Sequence, residues 1–124
     1  FFVKYGQVQD MELGYASMVP IIRMSEVYLI AAECEDSKKE AYEWLNALRS
    51  ARKATSLPAT GTLDNDLTGE YIREFVGEGQ LFWYYKRLRK TMIRKIYSGN
   101  GGYLDFDPAN YLFPLPEKEQ EHHK

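Results

Sequence analysis

A mainly α-helical fold, built from tetratricopeptide-like helical hairpins with a loop-rich C-terminal end, is what this sequence predicts. Three observations predict it. Apolar residues recur at spacings of three and four over two adjacent stretches, beginning near Arg23 and Ser37. Short segments rich in Asp, Ser, Pro, Gly and Thr separate the periodic stretches, as turns and loops do. Beyond the run Ser98-Gly99-Asn100-Gly101-Gly102, a strong helix stop, only short aromatic pieces interrupted by proline remain.

Residues 1–20 show no helical period, and Gly14 and Pro20 argue for extended or looped chain there. A first helix is predicted over 23–35, with Met24, Val27, Tyr28, Ala31 and Ala32 on its inner face. Ser25 and Glu26 suit its first turn, where a carboxylate meets the positive end of the helix dipole. A second helix is predicted over 37–53, capped by Asp36 or Ser37. Its stripe is Ala41, Trp44, Leu45, Leu48 and Arg52, while Lys38, Lys39, Glu40 and Glu43 stay in water. Asn46, beside the stripe, has the chemistry to satisfy a backbone group of an abutting loop. Residues 55–65 read as that loop.

A third helix is predicted over 66–77, with Leu67, Tyr71, Phe75 and Val76 inward. Gly77 and Gly79 flank Glu78 and predict a tight turn or a close helix contact, since glycine costs roughly 1 kcal/mol inside a helix. A fourth helix is predicted over 80–97. Two successive hairpins at this spacing suit a tetratricopeptide-like stack, although the repeat's consensus of about 34 residues is not literally present. Residues 103–106 and 111–116 read as short extended pieces.

Composition sets the boundaries of function. With 124 residues, 44% hydrophobic and 27% charged, the chain is long enough for a single buried core. A formal charge of −2 gives no electrostatic case for nucleic acid. Ten Tyr, six Phe and two Trp are the outlier, a supply that serves either a core or a sugar-stacking surface. One cysteine, Cys34, excludes an intrachain disulfide. Cys34 lies in an apolar run with nothing basic beside it, and reads as a small buried side chain on the first helix. No stretch approaches the roughly 18 apolar residues of a membrane span, and Phe1-Phe2-Val3-Lys4 lacks the layout of a signal peptide.

Catalytic motifs are missing. There is no G-x-S-x-G elbow, no phosphate-binding glycine loop, no H-E-x-x-H and no C-x-x-C. Both histidines, His122 and His123, stand at the extreme tail, which leaves no usable Ser-His or Cys-His dyad and only weak grounds for a metal site. Glu74 and Glu78 share one helix, whereas a glycosidase sets two carboxylates across a sugar from each other. Salt bridges to Arg73 or Arg87 account for them more simply. No catalytic residue and no cofactor are therefore expected.

A series of motifs, in order, points further. Pro20-Ile-Ile-Arg23-Met-Ser-Glu26-Val-Tyr28-Leu-Ile-Ala31-Ala-Glu33 comes first, and Ala41-Tyr-Glu-Trp-Leu45-Asn46-Ala-Leu48-Arg49-Ser-Ala-Arg52 follows at the distance of one hairpin. Then come Arg73-Glu74-Phe75-Val-Gly77-Glu78-Gly79, Phe82-Trp83-Tyr84-Tyr85-Lys86-Arg87, and Tyr111-Leu-Phe-Pro114-Leu-Pro116-Glu117-Lys-Glu119. The series resembles the C-terminal region of the SusD/RagB family over about residues 19–121. It departs from the family pattern at Tyr71, where an arginine is usual, and at Tyr84, where an aspartate is usual.

The resemblance implies a surface lipoprotein of the outer membrane that passes oligosaccharides or other nutrients to a TonB-dependent transporter of the SusC type. It implies a helical fold with tetratricopeptide-like hairpins. It also implies that residues 1–124 are the C-terminal part of a longer protein, with the lipid anchor and much of the binding surface upstream. Arg23, Glu26, Glu33, Arg49 and Arg52 would cross-link adjoining helices by charge-assisted hydrogen bonds. Of the consecutive Trp83, Tyr84 and Tyr85, one or two must be core and the remainder exposed, because successive helical residues face different ways. Candidate ligand contacts are Tyr103, Phe106 and Tyr111 in the late loops, with Trp83 on the fourth helix. The competing reading is a helical-repeat module that binds a protein segment in a groove.

Overall fold

The computed structural model describes residues 21–95, 102–114 and 116. Four helices, α1 (Met24–Cys34), α2 (Lys38–Ala51), α3 (Leu63–Phe75) and α4 (Gln80–Arg87), are followed by a hairpin of β1 (Met92–Arg94) and β2 (Tyr103–Asp105), then a 3-10 turn over Pro108–Tyr111. The mainly helical class is as the sequence predicts. The chain divides between Glu74 and Phe75 into two compact units. The readings made on residues 1–20, on most of the glycine-rich stop at 98–102, on the Glu117-Lys-Glu119 end of the last motif and on the histidine pair fall outside the described residues.

In the first unit, α1 and α2 pack on each other across the short connection 35–37. Ser37 caps α2, its hydroxyl accepting from the Glu40 amide at 3.5 Å. The far end of α2 closes as a Schellman motif. The Lys53 amide donates to the Ser50 carbonyl and the Ala54 amide to the Arg49 carbonyl, each at 2.9 Å, with Lys53 left-handed at φ 56°. A lysine there pays the Cβ strain that glycine avoids.

The buried faces are offset from the predicted ones. On α1 the core residues are Leu29 and Ala32, while Met24 is 70% and Val27 49% exposed. At about 100° per residue, Ser25, Leu29, Ala32 and Glu33 share one side of the helix. That side carries two polar residues, which is why apolar spacing alone chose the wrong face. Cys34 falls off it and is exposed, contrary to the buried thiol expected. On α2, Ala41, Leu45 and Leu48 are buried as predicted, but Trp44 is partly exposed and Tyr42 takes its place in the core. Trp44 instead meets Tyr28 edge-on at 5.7 Å.

Helix α3 begins at Leu63, three residues before the predicted start, with Asp64 and Asp66 in its first turn. Leu67, Tyr71 and Phe75 are buried, as their spacing required; Val76 is half-buried. Gly61, just ahead of α3, is a close approach: a Cβ there would lie 2.6 Å from Asp66 Oδ2 and 2.9 Å from the Tyr42 hydroxyl.

In the second unit, Gly79 caps α4 in the left-handed region (φ 77°), with open space around the position a Cβ would take. The tight-turn reading of the Gly77–Gly79 pair holds for both glycines, Gly77 being left-handed as well at φ 78°, and at Gly79 conformation rather than crowding demands the glycine. The predicted run of α4 to residue 97 is overturned. A second Schellman motif ends the helix, with Arg89 left-handed at φ 49°, its amide donating to the Lys86 carbonyl and the Lys90 amide to the Tyr85 carbonyl. The following Met92–Arg94 pairs antiparallel with Tyr103–Asp105, Ile93 opposite Leu104.

Candidate functional site

Two sets of side chains stand out, one in each unit, and they differ in kind. In the first unit two acids on α3, Glu70 and Glu74, are nearly sealed from water, their side chains 4% exposed. Glu74 accepts from Arg23 Nε at 2.8 Å, from the Ser25 hydroxyl at 2.8 Å and from the Arg52 guanidinium. Arg23 also donates to the Glu74 carbonyl at 3.2 Å. Glu70 accepts from Arg49 and Arg73, and Arg49 reaches on to the Thr55 carbonyl at 2.7 Å.

The predicted helix cross-links by Arg23, Arg49 and Arg52 are thus present, but their partners are the α3 acids. Glu33 takes a hydrogen bond from the Tyr71 hydroxyl at 3.1 Å. Glu74 pairs with Arg23 and Arg52, where Arg73 or Arg87 was expected.

Burial raises the Glu74 pKa, but hydrogen bonds from Arg52, Ser25 and Arg23 and the Arg52 charge outweigh it. The carboxyl lies below its ordinary value of 4.5. It is held ionised, which suits a structural anchor and not a general acid. Nearby, the Tyr42 hydroxyl donates to Asp66 at 2.6 Å. Burial first, then that hydrogen bond and the adjacent negative charge, push the Tyr42 pKa up to about 12. Asn46 does what its position predicted: its side chain donates to the Leu57 carbonyl at 2.9 Å and accepts from the Leu57 amide at 2.8 Å, binding the loop to α2.

The second unit carries an aromatic cluster. Tyr84 and Tyr85 are each 6% exposed and Trp83 is 59% exposed, resolving the trio as two core residues and one surface ring. The 3-10 turn is fixed by the Asp107 carboxylate, which accepts from the Ala109 amide at 2.9 Å, and by Pro108 at its start. It buries Tyr111, whose hydroxyl donates to the Lys90 carbonyl at 2.8 Å, tying the turn to the end of α4. Phe82 meets Tyr111 at 5.8 Å and Phe113 at 5.6 Å. Phe113, 72% exposed, is thereby brought beside the exposed face of α4. Lys86, one turn beyond Trp83, sets its ammonium 5.4 Å from the Trp83 ring centre and 5.8 Å from that of Phe113.

The sequence-selected aromatics are therefore not equivalent. Trp83 and Tyr103 are exposed, the latter by 53% on β2. Phe106 is half-buried against Tyr111 at 4.6 Å, and Tyr111 is 4% exposed and serves as a packing anchor. Phe113 and Lys86 escaped sequence reasoning. Phe113 sits in a proline-rich tail with no period, and only the burial of Tyr111 two residues earlier explains its position.

A third feature is an open depression of about 420 Å³ lined by Glu35, Glu40, Glu43, Trp44 and Ala47. Among the described residues no three His, Cys, Asp or Glu side chains are grouped to hold a metal ion, and no helix is long and apolar enough to cross a membrane.

A helical scaffold clamped by buried ion pairs, with partly exposed aromatic rings on its surface, defines a mainly α-helical protein. A comparison with protein families gives the relationship: the SusD family model matches residues 2–122, nearly the whole chain, and the chain belongs to that family. The family is one of nutrient- and glycan-binding proteins of the cell surface. No curated protein and no solved structure matches the chain.

Proposed function

We propose that this chain is the C-terminal part of an outer-membrane lipoprotein that binds oligosaccharide and hands it to a SusC-like TonB-dependent transporter, and that it is not an enzyme. Family membership supports the general role. The observation that carries the site is the pair of exposed rings, Trp83 and Phe113, which both pack against the half-buried Phe82, itself resting on the buried Tyr111. Sugar rings stack their apolar C–H faces on such surfaces, and a ring already fixed by packing loses little entropy on binding. Tyr103, exposed on β2, is a further candidate contact, and Tyr111, with Phe106 packed on it, supports Phe82.

Binding without chemistry fits the electrostatics of the described acids. Glu70 and Glu74 are consumed in ion pairs with four arginines. The apolar side of α1 (Met24, Val27 and Ile30, all exposed) favours a second reading, a groove for a protein segment. It offers no ring for a sugar.

Isothermal titration of the chain against a panel of neutral and acidic oligosaccharides tests the proposal. A Kd of roughly 0.1–1 mM for at least one glycan is expected, in keeping with a small, open platform. Trp83→Ala and Phe113→Ala should each abolish it. Binding that survives both substitutions, or heat signals from no glycan at all, would refute the assignment.

A further inference from the structure

The platform is not electrically neutral. Between Glu78 and Asp105 the sequence carries six basic residues (Lys86, Arg87, Arg89, Lys90, Arg94 and Lys95) and no acidic one, in a chain whose formal net charge is −2. The asymmetry is concentrated in residues 86–95, from the last turn of α4 through β1. Lys86 is the member of this run that reaches the exposed rings, lying over both Trp83 and Phe113. Among the described residues its ammonium has no carboxylate within salt-bridge distance. It lies over the two rings.

An ammonium over aromatic faces is held in place by the ring quadrupoles but keeps most of its hydrogen-bonding capacity, since π-faces replace water poorly as acceptors. Its three N–H donors therefore lie within reach of the substituents of a sugar stacked on Trp83 or Phe113. A neutral sugar supplies only hydroxyls to them. An anionic sugar supplies a charge-assisted partner, worth about twice a neutral hydrogen bond. The surrounding positive run lowers the cost of bringing that anion to the surface and speeds its arrival.

We infer that the Trp83–Phe113–Lys86 platform selects acidic glycans, the sugar ring stacking on the aromatics while its anionic group, a uronate carboxylate or a sulfate ester, pairs with Lys86. The inference rests on the glycan-binding reading above and adds to it the class of sugar and the residue that chooses it.

The experiment is a titration of the chain with an oligogalacturonide, with its fully methyl-esterified form, and with a sulfated galactan oligosaccharide beside its desulfated counterpart. The ester removes the charge and adds only a methyl group. At low salt the acidic member of at least one pair should bind about five-fold more tightly, the upper end for a partly exposed ion pair. The margin should shrink as salt is raised. Lys86→Gln should bring the two members of that pair to the same Kd, and Lys86→Arg should keep them apart. Which pair shows the preference identifies carboxylate or sulfate as the anion.

Equal affinity of acid and neutral forms for the unaltered chain would overturn the inference while leaving glycan binding intact. So would a preference that persists in Lys86→Gln, because it would belong to the basic run at large. Absence of binding by every probe would overturn both this inference and the function on which it rests. Circular dichroism of each variant separates loss of binding from loss of fold.

Discussion

Glu74→Gln is the sharpest test of how the first unit is held together. The substitution keeps the shape of the side chain and removes its charge. It leaves Arg23, whose side chain is 17% exposed, and Arg52, which is 40% exposed, facing a neutral amide. Removing one member of a buried ion pair costs about 3–5 kcal/mol, because the remaining charge is stranded. Two features reduce that figure. Arg52 is exposed enough to turn toward water, and glutamine still accepts one hydrogen bond from Arg23 or Ser25.

A loss of about 2–4 kcal/mol is therefore expected, read as a shift of the urea midpoint with an unchanged slope. The pH dependence gives a second reading of the same group. The folded-state pKa of Glu74 is lowered, so its stabilising contribution is present above the ordinary value of 4.5 and is lost as pH falls through the folded value. Glu74→Gln should flatten that part of the acid limb. A loss below about 1 kcal/mol, or an acid limb as steep as that of the unaltered chain, would refute the picture of a buried anchor.

Leu45→Ala, which empties a fully buried position on α2, should cost about 2–5 kcal/mol by denaturant titration. Lys53→Gly should stabilise the chain by about 0.5–1 kcal/mol, because it relieves the left-handed backbone of the Schellman motif; destabilisation would mean that the lysine side chain is needed there. Tyr85→Phe should be neutral or stabilising by up to about 1 kcal/mol, since the Tyr85 hydroxyl is buried with no partner among the described residues. A loss beyond about 1 kcal/mol would reveal a hydrogen bond to that oxygen.

Much of the scaffold could be read from the sequence because local signals agree with one another. Ala41, Leu45 and Leu48 repeat at helical spacing behind a Ser37 cap, and nothing long-range is needed to place them. Asn46 was legible for a related reason: an amide beside an apolar stripe must find a backbone partner. The errors arose where distant contacts overruled local pattern. The inner side of α1 is set by Ser25 and Glu33 meeting Glu74 and Tyr71 on α3, and polar residues at such contacts are invisible to apolar periodicity.

The end of α4 failed differently. Arg89 carries no stop signal of the glycine type, and the pairing of Met92–Arg94 with a strand from beyond Gly101 is a long-range choice. The aromatic platform was half legible. Residue type alone points to Trp83, but the places of Phe113 and Lys86 depend on Tyr111, whose burial makes it a packing residue rather than the ligand contact its loop position predicts.

Fluorescence offers the most direct measurement of the central claim, that sugar stacks on Trp83. The chain contains two tryptophans, Trp44 and Trp83, so Trp44→Phe leaves Trp83 as the sole reporter and Trp83→Phe leaves Trp44. Titration with the glycan that binds best should shift and saturate the emission of the Trp44→Phe protein at the Kd found by calorimetry. The Trp83→Phe protein should show no change. A saturating response from Trp44 instead, with Trp83 silent, would move the ligand to the depression lined by Glu35, Glu40 and Glu43 and contradict the account.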